Sequence, residues 1–335
     1  MRKYFLYELK KHLWTLVILT ALCAVPYVMN MATMRMYYVS TVTDPMKVVL
    51  DSGINGVFIP LLILLFAVPI LMYSFKMSKR GVDGYYSLPL KKEKMYFVLT
   101  MVGLILVLVP YTVSFWGGFF TLLCRQGNPY RMGYYVPTYF AGLCFAIFLY
   151  GVNAFVFTRA NRVSDGVIYM VAYAFVGSAI VRYIESNCLP QGSYIGYRIT
   201  NAFIFSGGMF QFVDSIQDLI CGSSASFRGI GWWFGLTVGA GVICYALFFY
   251  LLRFEKGEDA EQNSESWFGY RVLIPVYMSI SVGGAVWDSI SLIVALVFAT
   301  VATIVHKRTF RLKGEDFIPS GIGIVLGFLL RVLFG

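Results

Sequence analysis

Catalysis needs side chains that exchange protons, attack, or hold a metal, and this sequence is poor in them. Its two histidines, His12 and His306, both fall at the ends of apolar blocks. It contains no His-Glu-x-x-His and no Cys-x-x-Cys, so the usual zinc ligand sets have no candidate. No histidine lies within an apolar block to activate a serine or cysteine nucleophile. Gly-x4-Gly-Lys-Ser/Thr does not occur, so the chain is not expected to bind ATP through a phosphate loop. We therefore expect no enzyme activity, metal or cofactor of the chain's own. Asp288, Arg182, Glu185 and Arg331 fall at block edges or near the C-terminus and read as interfacial anchors. Ion-coupled transport usually relies on charges buried deeper than these. Cys23, Cys144 and Cys244 lie inside apolar blocks and read as packing residues. Cys188 and Cys221 share one segment and form a candidate disulfide if that segment is outside.

The chemistry that remains is charge, and its placement is informative. Lys76, Lys79, Arg80, Lys91, Lys92 and Lys94 crowd into one short loop, 76–94, that also holds Asp83, Tyr85, Tyr86 and Leu88. The elements around it are apolar blocks. The chain has 335 residues, 59% hydrophobic and 13% charged, with a mean hydropathy of +0.71. Soluble domains carry roughly 25% charged residues, and about 20 apolar residues cross a bilayer as a helix. We read spans at 13–34, 54–75, 96–123, 137–158, 165–184, 231–252, 272–287, 289–305 and 317–334. The pair 272–287 and 289–305 is short, with a turn marked by Gly283, Gly284 and Asp288; it forms a hairpin or a partly re-entrant one. Residues 1–12, with Phe5, Leu6, Leu9 and Leu13 near helical spacing among Lys3, Lys10 and Lys11, read as an interfacial amphipathic helix. The block from Leu13 has no small-x-small end and reads as a retained first span rather than a cleaved signal. The fold class is all-α: a polytopic transmembrane helical bundle with an N-terminal interfacial helix.

The basic residues also orient the chain. With the N-terminus in the cytoplasm, 19 of the 27 Lys and Arg fall on the inner side, 7 on the outer, and Arg331 within the last span. That is the expected positive-inside bias. Loops 76–94, 159–164, 253–271 and 306–316 are then cytoplasmic, and 35–53, 124–136 and 185–230 are outside. The last block runs to Phe334, so that end is expected outside, where a longer natural chain would continue. The net charge of +10 belongs to this pattern; no basic, aromatic-studded soluble domain exists to bind nucleic acid. Segment 255–268 is acidic and polar and reads as a flexible linker. Ile195–Phe212 is too interrupted for a span and is expected to lie in the interface or dip back. Pro26, Pro60, Pro69 and Pro110 fall within spans, where neighbouring helices must satisfy the freed carbonyls. Gly235-x3-Gly239 and Gly323-x3-Gly327 would allow close helix packing. The 24 Tyr and 6 Trp mostly read as interfacial belts.

One stretch resembles a known family. Arg80-Gly-Val-Asp-Gly-Tyr-Tyr-Ser-Leu-Pro-Leu90, lying between the second and third spans, is similar to the inner loop of membrane subunits of bacterial type-2 ABC exporters. In these, an Arg and a Gly-containing turn precede Leu-Ser-Leu-Pro and basic residues. Tyr85-Tyr86 stands where aliphatic residues are more usual. The short N-terminal helix, six spans to about 252 and a half-apolar outer segment before the sixth also fit that family, in which the outer segment holds re-entrant helices. Phe254–Glu261 and His306–Arg311 look like the extended permeases of Gram-positive bacteria.

The resemblance implies an interfacial helix at 1–12, a six-span core over 13–252, a cytoplasmic linker over 253–271 and additional membrane helices over 272–335. It implies separate ABC ATPase subunits, a second permease chain, membrane lipids as surroundings and no nucleic-acid partner. The plasma membrane would be crossed several times. A helix near Ser78–Ser87 would couple to the ATPase, with Lys79, Arg80 and Asp83 meeting polar groups, and Tyr85, Tyr86 and Leu88 filling an apolar cleft. Gly81 and Gly84 would shape the turn that presents them. The cargo would be amphipathic, peptide-like or lipid-like. Two other classes are compatible with the composition: an ATPase-independent secondary transporter or channel, and a membrane-embedded sensor or enzyme.

Overall fold

A computed structural model describes residues 2–33, 39–41, 44–47, 53–124, 132–174, 212–213, 215–217, 219–220, 230–254, 258, 260–262, 268–284, 289–308, 311 and 313–334. These residues are nearly all helical. The helices are α1 (Arg2–Lys11), α2 (Leu13–Thr33), α3 (Asn55–Tyr73), α4 (Lys79–Tyr86), α5 (Lys92–Leu123) and α6 (Tyr135–Thr158). α7 (Val163–Ala174) follows, then α8 (Ile230–Leu251), α9 (Tyr270–Gly284), α10 (Ser289–Lys307) and α11 (Ile318–Phe334). A two-stranded antiparallel ribbon pairs β1 (Val39–Thr41) with β2 (Asp44–Lys47). Wherever the expected spans fall on described residues they are largely helical; 165–184 is described only to Ala174, within α7, and 272–287 only to Gly284. Among the described residues, five helices are long and apolar enough to cross a membrane: Leu13–Thr33, Gly56–Met77, Lys92–Leu123, Tyr135–Thr158 and Phe234–Phe254. At 15 residues α9 is shorter, reaching roughly 22 Å against a hydrocarbon core of about 30 Å. The 285–288 connection and, up to residue 211, the Ile195–Phe212 stretch are outside the described residues.

The chain divides into two units. The first comprises Met1–Met72, Pro89–Asn153 and Phe205–Phe254, and the second comprises Tyr73–Leu88, Ala154–Ile204 and Glu255–Gly335.

Tyrosine fitted into glycine builds the first unit. Tyr150 of α6 lies on Gly103 of α5, Tyr111 of α5 lies on Gly142 of α6, and Tyr27 of α2 lies on Gly118 of α5. In each case a Cβ on the glycine would collide with the ring, so only glycine leaves room for so large a side chain at a helix contact. Tyr245 of α8 covers Gly151, and its hydroxyl donates to Ile147 O at 2.8 Å. Tyr27, Tyr96, Tyr111, Tyr135 and Tyr150 are all buried. Many tyrosines are thus core residues, and the interfacial belt accounts for fewer of them than composition suggests. The Gly235/Gly239 pair has open space beside it; the close approach on α8 is instead at Gly241, against Phe148.

Polar groups inside these helices are paired locally. Thr100, Thr112, Ser114 and Thr121 each donate to the carbonyl four residues earlier. Pro69 cannot donate to Leu65 O, the acceptor one turn before it. Asn153 Nδ2 of α6 donates to that carbonyl at 2.9 Å instead.

α1 packs on α5, but the residue it buries is Glu8, while Leu6 and Tyr7 are exposed. Glu8 is held by Lys11 at 3.6 Å and faces His12 at 3.8 Å. Burial lowers the His12 pKa, with the Lys11 charge adding to the effect and Glu8 opposing it. The outward apolar residues of α1 continue into α2, where Val17, Ile18, Leu22, Val25 and Met29 are exposed. Such a surface suits lipid rather than water.

In the second unit α9 packs closely on α11. A Cβ at Gly323 would stand 2.6 Å from Met278 Cβ, and one at Gly327 would stand 2.7 Å from Ser279 O. This small-residue pair does what its spacing predicts. α9 also reaches α7, where Tyr277 Oη donates to Ala172 O at 2.7 Å.

Candidate functional site

The loop that carries the sequence motif folds as a short capped helix. Ser78 is extended (φ −122°, ψ 133°), and its hydroxyl accepts from the N–H of Gly81, closing the first turn of α4. That is the usual work of an N-cap serine. Gly81 is required there: a Cβ would press on the Phe75 carbonyl and stand 2.7 Å from Ser78 Oγ. Gly84 has open space around its Cβ position, so the expectation that it shapes the turn fails on steric grounds. Ser87 closes the other end, with its N–H on Asp83 O at 3.2 Å and its hydroxyl on Gly84 O at 2.9 Å.

α4 has two faces. Val82 is buried, Tyr85 and Tyr86 are half-buried, and Tyr85 stacks on Phe75 with ring centroids 4.1 Å apart. Lys79, Arg80, Asp83, Gly84, Ser87 and Leu88 are exposed. Arg80, Asp83, Gly84 and Ser87 recur at the spacing that puts residues on one helical stripe. Lys79, Arg80, Asp83 and Leu88 therefore lie at the surface of α4 and the residues after it. The Tyr85 ring instead lies against Phe75, which helps hold α4 in place. Lys76, just before α4, donates to Thr158 O at the end of α6, where a cation suits the helix terminus.

Other segments expected on the same side meet in this unit. The α6–α7 turn receives Glu261: its N–H donates to Asn161 O at 3.1 Å, and its carbonyl accepts from Arg162 Nε at 2.7 Å. Glu261 Oε1 also accepts the Lys79 N–H at 3.2 Å. The segment read as a flexible linker is thus fixed at Glu261, and Ala260 beside it is buried. At the start of α7, buried Asp165 accepts from Tyr270 Oη at 3.3 Å and lies 3.5 Å from Arg308 Nη2, which also donates to Ser164 Oγ at 2.9 Å. Tyr270 packs on Tyr169 and on His306. Lys307 pairs with Asp316, whose carboxylate also accepts from the N–H of Lys313 at 2.8 Å. The Lys307 hydrogen bond first, then that of Lys313, holds the Asp316 pKa below the usual carboxylate value.

Sequence reasoning missed Glu261, Asp165 and Arg308 because their partners are remote: Glu261 is 182 residues from Lys79 and Arg308 is 144 from Ser164. In the first unit Arg253 Nε pairs with Glu93 at 2.9 Å, joining the end of α8 to the start of α5. Cys188 and Cys221 lie outside the described residues. Among the described residues no group of His, Cys, Asp or Glu is arranged to hold a metal.

Fold and composition define an all-α helical membrane protein. No protein-family model, curated protein or solved structure matches the chain.

Proposed function

We propose that the chain is the permease subunit of an ATP-binding-cassette exporter. It moves an amphipathic, peptide-like or lipid-like cargo out of a bacterial cell across the plasma membrane, with its N-terminus in the cytoplasm. ATP is bound and hydrolysed by separate subunits, and a second permease chain, identical or related, completes the pathway. The observation that carries this reading is α4. A short helix with its own serine cap and a half-buried aromatic brace leaves a polar stripe, Arg80, Asp83 and Ser87, with Leu88 beside it, facing out. A few such residues suffice for docking, since a handful of contacts usually dominate an interface. The meeting of segments 76–88, 159–165 and 306–308 with Glu261 and Tyr270 supports a common side for them, as the basic-residue pattern requires.

The test is co-purification of the chain with the ATPase encoded beside it, followed by reconstitution in liposomes. ATP-dependent hydrolysis stimulated by cargo is the expected result. Full transport by this chain alone, without nucleotide, would overturn the reading.

A further inference from the structure

Glu261 has a left-handed backbone, φ 67°. A residue with a Cβ adopts that conformation at a cost, and keeps it only where the surroundings fix it. Here the N–H, the C=O and one carboxylate oxygen of Glu261 are all engaged, although the residue is exposed. Its N–H and C=O bind Asn161 and Arg162 on the α6–α7 turn, and its carboxylate takes the Lys79 N–H. Ser78 already caps the Gly81 N–H, so Glu261 supplies a second cap to α4 from outside the helix. Its negative charge sits at the end of α4 where the helix dipole is positive. Arg308 is the other non-glycine residue with positive φ (52°) among the described residues. It grips the same turn from its far end, at Ser164 and Asp165. Two residues beyond the sixth span, each in a conformation that needs outside support, thus hold one turn between them.

We propose that Glu261 is a positioning residue that braces α4 against the 161–165 turn and so sets the angle at which α4 meets the ATPase. The inference rests on the reading of α4 as the coupling element. A movement of the turn is then passed to the first turn of α4 through the Glu261 carboxylate, beside the Lys76 tie to Thr158 O, and a movement of α4 is passed to the end of α10.

The experiment uses the full chain in the membrane with its ATPase. Backbone hydrogen exchange is followed over 76–88, and ATPase binding is measured in parallel. Glu261→Ala is expected to speed exchange in α4 about tenfold and to weaken ATPase binding by a similar factor. Glu261→Gln keeps an oxygen acceptor and is expected to behave as the parent on both. Lys79→Pro deletes the donor instead, at a helix position where proline is tolerated, and after a Ser78 backbone that already suits it. It is expected to reproduce the faster exchange with Glu261 intact, which separates the contact from general damage to the 261 region. If Glu261→Ala leaves exchange or binding unchanged while Arg80→Ala loses the ATPase, the brace is wrong and the coupling reading stands. If Arg80→Ala binds the ATPase as the parent does, α4 is not the docking element. The coupling reading then fails and the positioning role with it, whatever the exchange shows.

Discussion

At the scale of single residues, what a side chain can do depends on which way it faces. Arg80 projects from α4, whereas Tyr85 lies against Phe75. Arg80→Ala should change stability by less than about 0.5 kcal/mol, as exposed substitutions do. It should weaken ATPase binding tenfold or more, the usual cost of losing an arginine at an interface centre. Pull-down and stimulated ATP hydrolysis, at equal membrane levels, check this; unchanged binding would remove α4 from the coupling surface. Tyr85→Ala is a different experiment, because it frees α4 from its support before any partner is met. Asn153 offers a test in the membrane interior. Its amide answers the carbonyl that Pro69 leaves open, and Asn153→Leu strands that carbonyl. The expected loss is about 1–2 kcal/mol, read as a lower melting temperature in detergent. Pro69→Ala in the same background should recover much of it by restoring a donor within α3.

At the scale of elements, helix positions are legible in the sequence and helix faces much less so. A run of apolar residues is a local property, and where the expected spans fall on described residues they are largely helical. The contacts between helices are not local. Gly235-x3-Gly239 and Gly323-x3-Gly327 look alike as sequences, yet only the second pair has a neighbour within van der Waals reach. Tyrosine is equally ambiguous: amphipathic rings suit a membrane interface, but Tyr111 and Tyr150 are buried because a facing glycine admits them. Glu261 could not have been singled out, since an acidic residue in a polar stretch gives no local hint of a helix end 182 residues away. The glycine difference is testable. Gly323→Leu should cost about 1–3 kcal/mol by overpacking the α9–α11 contact. Gly239→Ala should cost nothing and gain slightly from helix propensity. Thermal unfolding of both variants in one detergent would separate them, and equal behaviour would contradict the packing described.

At the scale of the whole molecule, charge placement gives an orientation that can be measured. Single cysteines in a cysteine-free background should be labelled by an impermeant reagent at positions within 35–53, 124–136 and 185–230 of intact cells. Position 92 should be labelled only after lysis, and labelling there in intact cells would invert the arrangement. Internal motion is constrained as well. Tyr150 enters Gly103 and Tyr111 enters Gly142, two reciprocal fits that cross between antiparallel α5 and α6. On each helix the glycine socket and the tyrosine it lends to its partner are roughly 12 Å apart along the axis. Displacing one helix by a single turn would lift both rings out of their sockets at once and drive them into side chains with no room for them. The pair is therefore geared rather than greased: α5 and α6 must tilt together as one lever, and whatever stroke the first unit makes is taken up at its other helix contacts.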